Sequence, residues 1–287
     1  MALAVDRPGA AVPPLRERRG DAPRLGLRDR VAAEQDQLAP ALELGPEAAQ
    51  EELLARARRS VLIGDSRVIR LGSGADARVT GDVGERALVC VNGGSGREVP
   101  GDWSATLEWL VGRLAPELPD LGFLEVRYRV KSWRQLDRCL EDGGAALEVA
   151  VAAGARECAV LGFSMGGAVA IGIAAHPAVS TVIGLAPWIP DRLDVSTLDG
   201  KRIAVVHGSL DAWLPGVPGV SPRQTQRGLW RIRERGVDAS HTLISGAVHG
   251  VAVRAPWGGL LPLPRAGHWT RLVAAELRRF ASDPSPS

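Results

Sequence analysis

The sequence predicts an α/β protein in which a mainly parallel sheet carries helices on both faces. Short apolar segments with strand character alternate with helical segments from Ser66 onward, and short links join them. Parallel neighbouring strands need crossover connections, which the intervening helices supply. The chain has 287 residues, 45% of them hydrophobic, which is enough for one large core. In such sheets ligands bind at the carboxyl ends of the strands.

Two segments precede the predicted sheet. Residues 1–46 contain six prolines and no sustained apolar period, which predicts an irregular or disordered N-terminal extension. Residues 47–60 have leucines on one side and charges on the others, and Pro46 precedes them, which predicts a linking helix with proline at its start. The predicted α/β domain covers 61–281, and 282–287 form a short C-terminal tail.

The predicted strands fall into two kinds. The first two mix apolar and charged residues and lie close together, which predicts a hairpin. Most later ones are short, nearly continuous apolar runs, typical of strands buried on both faces of a parallel sheet. Strands are predicted over 67–70, 77–80, 87–91, 123–127, 158–163, 179–185, 203–206 and 241–244. Helices are predicted over 103–114, 135–153, 165–175, 224–235 and, as an amphipathic closing element, 270–280.

The composition disfavours several classes of partner. No apolar run approaches the length of a membrane span, and the segment 1–8 ends in a proline before a signal region develops, so we expect a cytoplasmic protein without a membrane partner. The net charge of +2 is too small to imply an acidic partner. Arginines cluster between Arg16 and Arg30, but interleaved acidic residues and the lack of aromatic ones favour a solvated tail over a nucleic-acid site.

The cysteines and histidines show no metal-binding spacing. The three cysteines, Cys90, Cys139 and Cys158, are expected to be buried thiols. The sequence contains no Cys-x-x-Cys pair and no His-Glu-x-x-His run, so we predict no zinc site and no other cofactor. The sequence leaves the oligomeric state open.

The most informative segment is Gly162-Phe163-Ser164-Met165-Gly166. It follows an apolar strand and runs into an Ala- and Ile-rich helical segment. A serine at the apex of such a strand-turn-helix projects its hydroxyl from the end of a sheet, above a helix N-terminus. The same five letters also fit a turn in a surface hairpin, but the flanking segments favour the strand-turn-helix.

Two more polar residues follow later predicted strands. Asp211 comes shortly after 203–206, and His249 follows 241–244. A glycine-rich loop, Asn92-Gly93-Gly94-Ser95-Gly96, follows an early strand. The order Ser, Asp, His, the serine turn and this loop together resemble the α/β-hydrolase superfamily, over roughly residues 60 to 281.

The resemblance implies an eight-stranded sheet and a hydrolytic triad. Ser164 would be the nucleophile, His249 the general base and Asp211 the acid that orients the imidazole. The oxyanion hole would consist of the backbone N–H groups of Met165 and Gly94. The implied activity is that of a carboxylesterase-like enzyme, which cleaves an ester or thioester of a small molecule through an acyl-enzyme.

Other residues compete for two of these roles. Asp191 and Asp194 follow the preceding strand, a position that some relatives use for the acid. His268, beside Trp269 at the start of the last helix, is the alternative base. His207 is expected to be a satisfied core histidine, and His176 to end a helix before a proline.

Four residues are candidate substrate contacts, namely Asn92, Tyr128, Trp188 and Trp213. Asn92 stands where the family more often has histidine, and Asn-Gly is also a common turn pair, so it is expected to shape the loop. Tyr128 ends a strand, so that either its hydroxyl binds substrate or its ring packs at the rim. Tryptophans in the loops are candidate walls of the site; besides Trp188 and Trp213 they are Trp103, Trp133 and Trp257.

The segment that carries large lids in the family is short here. Only about 15 residues separate Leu185 from Lys201, which predicts an open site without a lid, suited to a small soluble substrate. Two other classes of function remain open. The same fold and triad also serve peptide hydrolases, carbon-carbon bond hydrolases and acyltransferases, and a non-catalytic binding protein is the last alternative.

Overall fold

The computed structural model describes residues 66–211 and 219–282. The predicted extension over 1–46, the linking helix over 47–60 and Trp213 therefore lie outside the described residues, as does all of the predicted tail except Ser282. Within the described residues no helix is long and apolar enough to cross a membrane.

Strands and helices alternate as the sequence predicts. The strands are β1 (Ser66–Arg70), β2 (Asp76–Thr80), β3 (Arg86–Val91), β4 (Val99–Pro100), β5 (Gly122–Arg127), β6 (Val130–Lys131), β7 (Glu157–Phe163), β8 (Val179–Leu185), β9 (Arg202–Gly208), β10 (Asp238–Ile244), β11 (Ala252–Arg254) and β12 (Leu260–Pro262). The helices are α1 (Ala105–Leu114), α2 (Leu136–Ala152), α3 (Gly166–Ile173), α4 (Pro222–Glu234) and α5 (Ala266–Ser282).

Eight strands form one sheet, in the spatial order β1-β2-β5-β3-β7-β8-β9-β10. The pairs β1–β2 and β2–β5 are antiparallel, and every other neighbouring pair in the sheet is parallel. The mainly parallel α/β fold predicted from the sequence is thereby confirmed. Two short antiparallel pairs, β4–β6 and β11–β12, lie outside this sheet and were not predicted, because strands of two or three residues carry no hydrophobic period.

Side chains on the central strands alternate between two hydrophobic cores, one on each face of the sheet. On β7, Val160 belongs to the core covered by α2, α3 and α4, whereas Leu161 belongs to the core covered by α1 and α5. Both side chains are fully buried. Burial on both faces explains why the strands read as continuous apolar runs in the sequence.

The cysteines are buried thiols, as predicted. Cys90, Cys139 and Cys158 are all free and buried. Burial raises the pKa of Cys139 and of Cys158 to about 11, so both thiols are protonated and unreactive at neutral pH.

Two leucine truncations test the position of the cores. We expect Leu161→Ala to lower the free energy of unfolding by about 3 kcal/mol, because it leaves a cavity beside the central strand. The matched change Leu243→Ala, in the edge strand β10 where half of the side chain is exposed, should cost less than about 1 kcal/mol. Urea unfolding followed by circular dichroism measures both. Equal losses would contradict the assignment of Leu161 to a core.

Candidate active site

Ser164 occupies a strained turn between β7 and α3. Its φ angle is 55°, in the left-handed region that residues other than glycine rarely adopt. Three hydrogen bonds hold the turn: Ser164 N–H donates to Leu185 O at 2.9 Å, and Ser164 O accepts from Gly167 N–H at 2.9 Å and from Trp188 N–H at 2.8 Å. The strain is thus balanced by contacts to the end of the neighbouring strand β8 and the loop after it.

The glycines of the serine turn are required by close packing. A Cβ atom at Gly162 would overlap the carbonyl oxygen of Gly166, and a Cβ at Gly166 would overlap the carbonyl oxygen of Val91, the last residue of β3. The first turn of α3 therefore lies directly against the ends of two sheet strands. This packing fixes the serine above the helix N-terminus.

Asp211 and His249 form a hydrogen bond at the same edge of the sheet. His249 Nδ1 lies 2.8 Å from Asp211 Oδ2. The other carboxylate oxygen, Oδ1, accepts from Val220 N–H at 3.0 Å. The two residues follow the parallel strands β9 and β10, which are neighbours, so their loops meet at the carboxyl edge.

Opposing effects set the pKa of Asp211. Burial of the carboxyl group by itself raises the pKa, whereas the N–H groups of His207 and His249 lower it. The two donors outweigh burial, so the pKa of Asp211 lies below its ordinary value. The side chain is therefore an anion at neutral pH, able to stabilise a protonated imidazole.

The ring of Phe163 connects the serine turn to the histidine loop. Its centroid lies 4.9 Å from that of His249. A Cβ atom built on Gly93 would lie 3.4 Å from Ser164 Cβ and 3.6 Å from the Phe163 ring, and one on Gly250 would lie 3.3 Å from the same ring. Within the described residues the Ser164 hydroxyl makes no hydrogen bond to His249; such bonds often tighten only when substrate is bound.

Gly94 and the side chain of Met165, the two residues predicted to supply the oxyanion donors, lie next to each other. A Cβ atom at Gly94 would overlap both Met165 Sδ and the indole ring of Trp133. Neither backbone N–H, that of Gly94 or that of Met165, donates a hydrogen bond within the described part of the chain.

Asn92 shapes the glycine-rich loop and is not a free substrate contact. Its Oδ1 accepts from Gly93 N–H at 2.6 Å, and its Nδ2 donates to Asp102 O at 3.2 Å. Tyr128 supports the same loop, because its hydroxyl donates to Asn92 O at 3.1 Å. Only 2% of Tyr128 is exposed, so the prediction that its hydroxyl binds substrate is wrong. The sequence correctly predicted Tyr128 at the end of its strand, but it did not show that the glycine-rich loop would cover the side chain.

Two tryptophans flank the serine turn. Trp188 supplies one of the backbone N–H groups that hold Ser164, and its ring lies 6.4 Å from that of Trp133. Trp133, which touches Gly94, is 37% exposed. This pair, Trp133 and Trp188, forms an aromatic wall beside the loop.

The competing acid and base candidates lie apart from this cluster. Asp194 caps its own turn by accepting from Ser196 N–H at 2.8 Å, and Asp191 is exposed. His268 is exposed in the first turn of α5. Among the described residues none of these three forms a hydrogen bond or ion pair with Asp211, His249 or Ser164. No group of three His, Cys, Asp or Glu side chains in residues 66–211 and 219–282 is placed to hold a metal ion.

His207 differs from its prediction as a satisfied core histidine. The residue is fully buried, but its Nε2 lies 3.0 Å from Asp211 Oδ2, and its Nδ1 has no hydrogen-bond partner among the described residues. The four-residue spacing of His207 and Asp211, across a turn that contains Gly208, allows this contact, but the spacing alone does not fix the direction of the His207 side chain. A Cβ at Gly208 would overlap the carbonyl oxygen of Ala247, so the turn also packs against the histidine loop.

Two alanine substitutions test the close packing of the serine turn. We expect Gly166→Ala to lower the free energy of unfolding by about 2 kcal/mol or more, since the added methyl group meets the backbone of β3. Gly144→Ala, inside α2 where no atom lies within 4 Å of the added Cβ, should raise it by about 0.5–1 kcal/mol. Chemical denaturation measures both. A Gly166→Ala protein as stable as wild type would contradict the described packing.

Solved structures resemble the chain at low sequence identity. An α/β serine hydrolase homologue from Coxiella burnetii is 17% identical with a TM-score of 0.52, over 76% of this chain and 99% of that one. A lidless α/β serine hydrolase from Xanthomonas campestris is 16% identical with a TM-score of 0.54, over 77% and 96%. An acylaminoacyl peptidase from Pyrococcus horikoshii is 11% identical with a TM-score of 0.56, over 78% and 43%.

Two further comparisons, with protein-family models and with curated proteins, find no relative. No protein-family model matches the chain, and no curated protein matches it. The order of the sheet strands, the serine turn after β7 and the likeness to the solved structures agree with one another. The chain has the α/β-hydrolase fold, in a form without a large lid between β8 and β9.

Proposed function

We propose that the protein is a serine hydrolase that cleaves a carboxylic ester or thioester of a small molecule through an acyl-enzyme. The observation that carries the proposal is the 2.8 Å hydrogen bond between His249 and the buried carboxylate of Asp211, at the sheet edge where the strained turn presents Ser164. A protein that only binds a ligand has no need of this combination. The solved structures with the same fold include esterases and serine hydrolases, in agreement with the proposal.

In the first half of the reaction Ser164 Oγ attacks the carbonyl carbon of the substrate. His249 accepts the serine proton at Nε2, because its Nδ1–H is held by Asp211. The carbonyl oxygen becomes an oxyanion and accepts hydrogen bonds from the N–H groups of Gly94 and Met165. Collapse of the intermediate breaks the bond to the leaving group, which takes the proton from His249, and leaves an acyl-serine.

In the second half a water molecule replaces the leaving group. His249 removes a proton from the water as its oxygen attacks the acyl carbon, and the same oxyanion donors stabilise the second intermediate. The bond to Ser164 Oγ then breaks, and the serine recovers its proton from His249. The products are a carboxylic acid and the free enzyme.

The surroundings of the serine favour a compact acyl group. The aromatic wall of Trp133 and Trp188 flanks the glycine-rich loop. The short connection between β8 and β9 leaves the site without a lid domain. An acyl group of a few carbon atoms therefore suits this site better than a long lipid chain.

A fluorophosphonate probe and p-nitrophenyl acetate and butyrate test the proposed reaction. We expect covalent labelling of the wild-type protein at Ser164 and none of Ser164→Ala. His249→Ala should lower kcat by about 10⁴-fold or more, because the serine then has no general base. His268→Ala, a change of the same size at an exposed histidine, is the control and should retain the activity of the wild type.

Three outcomes would contradict the proposal. Labelling that survives the loss of Ser164 would exclude it as the nucleophile. Turnover lost in His268→Ala but kept in His249→Ala would reverse the assignment of the base. A folded wild-type protein that reacts with neither reagent would favour a binding protein on the same fold.

A further inference from the structure

We propose that His207 is a positioning residue, whose neutral imidazole donates an Nε2–H to Asp211 Oδ2 and so holds the carboxylate toward His249. The inference rests on the proposed function for its catalytic meaning, but the contact itself is a feature of the structure. It assigns a role to a fully buried histidine that the triad does not include.

The contacts of His207 fix which of its nitrogens carries hydrogen. Nε2 lies 2.8 Å from Val220 O and 3.0 Å from Asp211 Oδ2. Both oxygens are acceptors only, so Nε2 carries the hydrogen. In the structure this hydrogen is directed to Val220 O, and Asp211 Oδ2 lies within ion-pair distance of the same nitrogen. Nδ1 is buried without a partner among the described residues, and a proton on it would have no acceptor. The favoured state is therefore the neutral Nε2–H tautomer.

Asp211 Oδ2 thus has a histidine nitrogen on each side. His249 donates through Nδ1 at 2.8 Å on one side, and His207 approaches at 3.0 Å on the other. Oδ1 is held by Val220 N–H. In the proposed arrangement His207 adds a third partner to the carboxylate and favours the orientation in which Oδ2 faces His249. Without His207, the carboxylate would be held by Val220 N–H and by His249 itself, the residue that it has to orient.

The charged and titratable groups around His207 are compatible with a neutral ring. Asp211 follows β9, the strand that contains His207, and His249 contacts Asp211 in turn. His241 on β10 packs edge-on against His207 with ring centroids 6.2 Å apart. Burial lowers the pKa of His241, and His207 together with Arg233 of α4 acts in the same direction. His241 is thus uncharged at neutral pH and contributes no competing charge.

Nitrogen NMR of the wild-type protein provides the first test. With ¹⁵N-labelled histidine, we expect His207 to show a protonated Nε2 and an unprotonated Nδ1 at neutral pH. The Nδ1–H tautomer, or a doubly protonated ring, would overturn the proposal, since neither fits a neutral donor to Asp211.

Three variants test positioning. His207→Phe keeps a ring but removes the donor, and His207→Gln keeps an N–H near the position of Nε2. His241→Phe is the matched control, because His241 touches His207 but not Asp211. We expect the downfield proton resonance of His249 Nδ1–H to be lost or exchange-broadened in His207→Phe and to persist in the other two. An unchanged resonance in a folded His207→Phe protein would overturn the proposal.

Turnover of p-nitrophenyl acetate gives the kinetic readout. His207→Phe should lower kcat by about tenfold or more with KM changed less than about twofold, because orientation of the base matters in the transition state and not in binding. His207→Gln should restore most of the loss. Equal losses in the Phe and Gln variants, or a loss in KM alone, would overturn the positioning role. A wild-type protein inactive on esters would refute the proposed function, while the NMR result would still decide the contact.

Discussion

The candidate site depends on the close approach of α3 to the ends of β3 and β7. Two glycines allow this approach, because a Cβ atom at Gly162 or Gly166 would overlap a backbone carbonyl. The approach forces Ser164 into a left-handed conformation, and hydrogen bonds to Leu185, Gly167 and Trp188 hold it there.

The loops that carry the candidate functional groups come together because of the sheet. The loops after β3, β7, β9 and β10 all leave the carboxyl edge of parallel strands, so residues far apart in sequence converge there. Buried polar contacts then fix each loop. Tyr128 holds the carbonyl of Asn92 in the first loop, and Val220 and His207 hold Asp211 in the third. The site is thus supported by buried groups that do not themselves face a substrate.

The sequence predicted what local patterns determine. Continuous apolar runs predicted the central strands. The glycine-flanked serine between a strand and a helix predicted the turn at Ser164. The pairing of Asp211 with His249 was implied by the resemblance to the α/β-hydrolase superfamily, which rested in part on both residues following predicted strands. The roles of Tyr128 and His207 could not be predicted in this way, because the direction of a side chain at a strand end depends on how the following loop packs. The same holds for Phe163, whose ring joins two loops distant in sequence.

The most direct test of the account is a crystal structure of the protein after reaction with a phosphonate ester probe. The account predicts phosphorus bonded to Ser164 Oγ, the phosphonyl oxygen within hydrogen-bond distance of the N–H groups of Gly94 and Met165, and His249 still paired with Asp211. Phosphorus on another residue, or an adduct whose oxygen points away from both amides, would contradict it.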